Sequence, residues 1–163
     1  MSSLVRMYIG IDPGLTGAVA YITDRGHYGV FDLPVSSDGT HRWIDAKTTA
    51  ELIDSFPLMD GISVDSGITA FVERTHAMPK QGVSSTFAMG MALGSILAAC
   101  QVARLSIRMV PASSWKKASK LSSDKSASLG KARLMFPNAE LHRKKDHNRA
   151  EALLIADWGR LHG

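Results

Sequence analysis

The sequence is poor in cysteine, and the shortage excludes several classes. Its 163 residues include one, Cys100, so no internal disulfide forms and the chain suits a reducing compartment. Cys100 lies in the run Leu97-Ala98-Ala99-Cys100, where it reads as a small buried residue. No Cys pair and no His-Glu-x-x-His pattern offers a zinc site. No apolar run reads as long enough to span a bilayer, and Met1-Ser2-Ser3-Leu4-Val5-Arg6 is too short and polar for a signal peptide. The expected location is cytoplasmic, without a membrane partner. Repeats, low-complexity tracts and interdomain linkers are also lacking, so residues 1–163 read as one domain. Hydrophobic residues make up 45%, which supplies a core and argues against disorder.

Charge is present but unevenly spread. The net charge of +4 suits a polyanionic partner. Lys116, Lys117, Lys120, Lys125, Lys131, Arg133, Arg143, Lys144, Lys145 and Arg149 crowd the C-terminal third. Such a run is either a solvated face or a nucleic-acid surface. Trp115 and several serines among the cations favour the second.

The stretch around which the chain is organised is Tyr8-Ile9-Gly10-Ile11-Asp12-Pro13-Gly14-Leu15-Thr16-Gly17-Ala18-Val19-Ala20-Tyr21-Ile22. It reads as two apolar strands joined by a Pro13-Gly14 turn. Asp12 stands where the first strand ends. It either caps its own loop or carries a partner such as a metal ion, because an unpaired buried carboxylate is costly.

Further on, Tyr28-Gly29-Val30-Phe31-Asp32-Leu33 predicts a third strand, and Ser36-Ser37-Asp38-Gly39 a loop. Thr48 and Glu51 have capping-box spacing for a helix to about Phe56, with Leu52, Ile53 and Phe56 inward and Pro57 as its limit. Ile68-Thr69-Ala70-Phe71-Val72-Glu73 reads as a strand covered on both faces. It too ends in a carboxylate, Glu73, which is either paired with Arg74 or functional. Two strands ending in acids is the stronger observation, since ligands of open α/β sheets bind at those ends.

Ser84 or Ser85 predicts the start of a long helix to about Arg104, striped by Met89, Leu93, Ile96, Leu97 and Cys100. Gly90 and Gly94 on it permit close approach to the sheet or to a second subunit. Ser106-Ile107-Arg108-Met109-Val110 predicts a strand, and a serine-capped helix follows over about 123–136. The last helix begins near Asp146 or Asn148, with Glu151 in its first turns and Ala150, Leu153, Leu154 and Trp158 inward.

Four acids thus have structural addresses: Asp12, Glu73, Asp146 and Glu151. Gathered together they would repel, and divalent cations relieve that repulsion. Oxygen-only ligands favour Mg²⁺ or Mn²⁺. Two such ions about 4 Å apart are a known device for phosphodiester hydrolysis, and nearby lysines could hold the phosphate backbone.

These motifs resemble the RuvC-type Holliday junction resolvases, within the ribonuclease H-like nucleases, and most of all their phage-encoded branch. Ile9-Gly10-Ile11-Asp12-Pro13-Gly14 with Thr16-Gly17 is similar to the family's first motif, and Phe71-Val72-Glu73 to its second. Ser84 to Gly90 with Ala92, Gly94 and Ala98 is similar to the following helix. Val110-Pro111, Trp115-Lys116 and Asp124-Lys125 are similar to its basic segment, and Ala150 to Ala156 to its last catalytic helix. The resemblance implies an α/β, ribonuclease H-like fold with a five-stranded mixed sheet whose first three strands are antiparallel, flanked by helices. It implies a Mg²⁺-dependent homodimer, with Mn²⁺ as substitute and two ions per site. The activity implied is paired symmetric nicking of four-way DNA junctions, leaving 5′-phosphate and 3′-hydroxyl ends, in a host bacterial cytoplasm. No nucleotide cofactor is implied.

Asp12, Glu73 and Glu151 carry over as catalytic metal ligands. The sequence departs from the family three residues before Glu151, where Asn148 replaces the usual acid or histidine. Asp146 is then the fourth ligand, with His147 as substitute, or Asp146 only caps the helix. Lys116, Lys117 and Lys125 are the expected phosphate contacts, and Gln81 is expected to approach the junction centre. Other readings are a nuclease of broader taste for branched DNA, a non-catalytic junction binder of the same fold, and an actin- or kinase-like phosphotransferase. The chain is too short for the two-lobed cleft of the last.

Overall fold

Side-chain alternation in the first strands decides where everything else packs. The computed structural model describes residues 4–64, 67–122 and 124–163. Strands β1 (Met7–Asp12), β2 (Ala18–Thr23) and β3 (Tyr28–Asp32) run antiparallel, Asp12 opposite Ala18 and Ala18 opposite Asp32. Strands β4 (Val35–Ser37) and β5 (Arg42–Ile44) form a separate small hairpin. The expected loop at Ser36-Ser37 is therefore partly strand. Three-residue strands are too short to show an alternating pattern, and the turn itself is built on Asp38, whose Oδ1 accepts from the amides of Thr40 and His41 at 2.9 and 2.7 Å.

Helix α1 (Ala46–Met59) is capped by Asp45, whose carboxylate accepts from the Thr48 amide at 2.9 Å. This corrects the expected Thr48/Glu51 box: Glu51 instead lies 3.8 Å from Lys47 on the helix surface. Pro57 sits inside the helix rather than limiting it. Ile53 and Phe56 are buried as expected. Strand β6 (Thr69–Arg74) adds parallel to β1, and β7 (Ser106–Pro111) adds parallel to β6. The main sheet therefore has the order β3-β2-β1-β6-β7, five strands with the first three antiparallel.

Helix α2 (Val83–Val102) starts from Gly82 rather than a serine and ends before Arg104, whose φ of 58° turns the chain into β7. It buries Ala92, Ile96, Ala99 and Cys100 and leaves Val83, Phe87 and Met91 exposed. By length and composition alone it could cross a membrane, contrary to the sequence expectation. Here it packs one face on the sheet. The expected Met89–Leu93–Leu97 side of its stripe is only half-buried.

A short helix not read from the sequence, α3 (Ala112–Ala118), follows β7. Helix α4 (Lys125–Met135) is capped by Asp124, whose carboxylate accepts from the Ser126 amide at 2.9 Å. Ser123, the expected cap region, lies outside the described residues. A 3₁₀ turn over Lys144–Asp146 leads into α5 (His147–His162).

Two cores result. Ile9, Ile11, Val19, Tyr21, Ala70 and Val72 point to α1 and α2. Ala18, Ala20, Ile22 and Phe71 point to the opposite face, where α5 lies with Ala150, Leu153 and Leu154 fully buried. This alternation is what a sheet covered on both sides requires.

Candidate active site

Gly10 sets the approach of α5. A Cβ there would run into the backbone of Ala152 and Ala156, so the helix rests on the strand itself. Residues two apart share a face of a strand. Gly10 therefore places Asp12 on the α5 side. Phe71, which packs edge-on against Trp158 of α5 with ring centroids 6.1 Å apart, places Glu73 there too. Ile11 is in register with Val72, so Asp12 and Glu73 end adjacent parallel strands at the same sheet edge. Glu151 reaches that edge from α5, one residue before the contact at Ala152.

Asp12 and Glu151 are each 8% exposed. The Trp115 indole N–H donates to Glu73 Oε2 at 2.7 Å. Burial pushes the Glu73 carboxyl above the usual carboxylate range. The Trp115 hydrogen bond and Lys116 oppose that shift, and the Glu151 charge adds to it. Lys116 Nζ lies 3.8 Å from Glu151 Oε1 and 5.1 Å from the centre of the Trp115 ring. Buried Ser128 donates to the same Glu151 oxygen at 3.4 Å. Two acids therefore face one another with one ammonium between them.

Asp146 is placed differently. The Arg143 amide donates to its Oδ2 at 2.7 Å, and the Arg143 guanidinium to its Oδ1 at 2.9 and 2.7 Å. Burial disfavours the Asp146 charge, but these bonds outweigh it and hold the carboxyl below its ordinary value. Its side chain is 3% exposed. It closes the 3₁₀ turn and makes no side-chain cap on α5. Both oxygens of the expected fourth ligand are thus engaged by Arg143, and binding a cation would require it to give up those bonds. Arg149 forks onto Asp32 at 2.7 and 2.8 Å beside it. Asn148, at the position of the missing acid, donates from Nδ2 to the Thr16 carbonyl at 2.6 Å and to Thr16 Oγ1 at 3.1 Å. It ties α5 to the β1–β2 turn.

Among the described residues, no three of Asp, Glu, His and Cys stand close enough to form a ready metal cage. The donor chemistry still fits a hard cation. Glu73 is a desolvated carboxyl repelled by Glu151 and answered by the Trp115 indole N–H and the Lys116 ammonium, and the carboxylates offer oxygen donors.

Against solved structures, the chain superposes on T. thermophilus RuvC in complex with Holliday junction substrate, at a TM-score of 0.55 and 17% identity, covering 99% of this chain and 97% of that one. It also superposes on a Thermus thermophilus RuvC structure at a TM-score of 0.52 and 19% identity, covering 95% and 92%. The fold is RuvC-like, of the ribonuclease H type. No protein-family model matches the sequence, and no curated protein matches it.

On this RuvC-like frame the expected DNA contacts fare unequally. Lys117 is exposed, and Lys116 turns inward to Glu151. The Lys125 side chain lies outside the described residues. Gln81 spends its side-chain oxygen on the Met78 amide at 3.0 Å, closing its own turn. His147 lines a groove with Asn148. Trp115 was missed as a site residue: grouped with the cations as a surface aromatic, it is fully buried. Its place directly after β7, beside the β6 end, was the available signal.

Proposed function

We propose that this chain is a metal-dependent endonuclease that resolves four-way DNA junctions by paired symmetric nicks. The observation that carries the reading is that Asp12 and Glu73 end adjacent parallel strands, with Glu151 facing Glu73, in a RuvC-like fold. The motifs resemble those of the phage-encoded branch. Asp12, Glu73 and Glu151 would hold the metal. A bound Mg²⁺, or Mn²⁺ in its place, one or two per site, supplies Lewis acidity and charge neutralisation.

The chain's own residues do the rest. Trp115 fixes the Glu73 oxygen, and Ser128 and Lys116 orient Glu151. Lys117 meets the phosphate backbone, and Lys125 follows it on the same basic segment. Water adds to the phosphorus, the P–O3′ bond breaks, and the proton leaves on the 3′-oxygen, giving 5′-phosphate and 3′-hydroxyl ends.

Two copies are needed to cut two strands. The exposed Val83, Phe87 and Met91 of α2, beside the open faces of Gly90 and Gly94, suit pairing with a second copy.

The test is a labelled mobile four-way junction with Mg²⁺ or EDTA, beside flap and linear controls. Symmetric nicks that need Mg²⁺ and spare the duplex are expected. Cutting of flaps at equal rate makes it a broader branched-DNA nuclease. Binding without cutting in Mg²⁺ or Mn²⁺ makes it a non-catalytic junction binder.

A further inference from the structure

A groove of about 490 Å³ continues the sheet edge beyond the carboxylates. Thr16 and Gly17 form one wall, Asp32 and Arg42 another, and Arg143 with residues 145–149 a third. Asp12 is in register with Ala18 and Ala18 with Asp32. The groove is therefore centred about two strands, or about 10 Å, from Asp12. Asn148 in its wall is bonded to Thr16 and stands three residues before Glu151. Groove and carboxylates are thus held by the same turns of α5.

Four permanent cations line the groove, Arg42, Arg143, Lys145 and Arg149, against two carboxylates, Asp32 and Asp146. The two carboxylates are already saturated by Arg143 and Arg149. The excess falls on Arg42 and Lys145, both exposed. Among the described residues no carboxylate lies within ion-pair distance of either. No Phe, Tyr or Trp ring lines the groove, whose single ring is the half-buried imidazole of His147, whereas base-binding platforms depend on successive large aromatic faces. Cations without aromatic partners contact the backbone and set register.

We infer that this groove is a second phosphate subsite, holding a DNA phosphodiester next to the scissile one through Arg42 and Lys145. The inference rests on the nuclease reading of the carboxylate edge. The groove fixes how far a strand extends past the cut on the β3 side.

The test compares Arg42→Gln/Lys145→Gln with wild type and with Arg25→Gln/Arg104→Gln, which removes the same charge from the opposite sheet end. Junction affinity is measured by titration across salt concentrations. The groove variant is expected to lose about tenfold or more in affinity and to lower the salt slope by about 1 per cation removed, about 2 in all. A neutral methylphosphonate scanned along the strand near the cut should weaken wild-type binding at one or two positions and leave the groove variant insensitive there. Equal behaviour of groove and control variants, or an unchanged methylphosphonate pattern, overturns the subsite. A wild-type chain that binds no branched DNA removes the nuclease reading and the subsite together. Wild-type binding with an indifferent groove variant removes the subsite alone.

Discussion

Two pairs of acids share one edge of this sheet, and the fold treats them in opposite ways. Asp32 and Asp146 are met by two arginines through short, forked bonds. Glu73 and Glu151 face each other with one lysine and one indole between them. In the first pair positive charge is matched to negative, and both carboxyls sit below their ordinary values. The Arg149 fork leads for Asp32. For Asp146, burial is outweighed by the Arg143 bonds. In the second, burial and mutual repulsion raise Glu73. An acid whose charge is fully answered locks a turn. An acid whose charge is left over is available to a cation.

Removing a carboxylate from the candidate site should produce the largest effect. Asp12→Asn is expected to lower junction cutting by about a thousandfold or more, several kcal/mol of charge stabilisation, while junction binding persists. Single-turnover cleavage beside a binding titration checks this. Loss of binding and cutting in parallel would assign Asp12 to folding.

The saturated pair should answer in stability instead. Asp146→Asn is expected to cost about 1.5–3 kcal/mol at pH 7, read as a lower melting temperature, while cutting survives at temperatures where the variant is folded. The pH dependence has a definite sign. The folded carboxyl of Asp146 is depressed, so its contribution is complete above the unfolded value of about 3.9. It is lost as pH falls through the lower folded value, where the native state finally takes up the proton. The melting gap between wild type and variant should therefore close in that acid window. A variant that melts like wild type yet cannot cut would restore Asp146 as a ligand and dissolve the contrast.

The smallest effect tunes the reactive pair. Trp115→Phe keeps a buried ring but removes the N–H bonded to Glu73. About 10- to 100-fold weaker metal activation is expected, measured as the Mg²⁺ concentration at half-maximal cutting. An unchanged midpoint would make Trp115 a packing residue only.

Periodicity and turn chemistry made most of the frame legible. The Pro13-Gly14 turn, the apolar strand at Ala70–Val72 and the alanine-rich last helix all stand where the residues put them. Cap identities were less legible: Asp45 and Asp124 took the places expected of Thr48 and a serine, because several good capping residues stand within one turn of each helix start. The β4–β5 hairpin and α3 were too short to leave a pattern.

The site divides along the same line. Strand alternation, a local property, puts Asp12 and Glu73 at strand ends, and the resemblance adds Glu151. Which partner each acid meets is a tertiary fact. Arg143 binds Asp146 because a 3₁₀ turn folds the two together, and Trp115 reaches Glu73 only because β7 lies beside β6. Sequence alone determined the carboxylates, their spacing and the small residues that let α5 lie on β1. Tertiary structure alone decided their partners, because a carboxylate's charge is answered by neighbours in space.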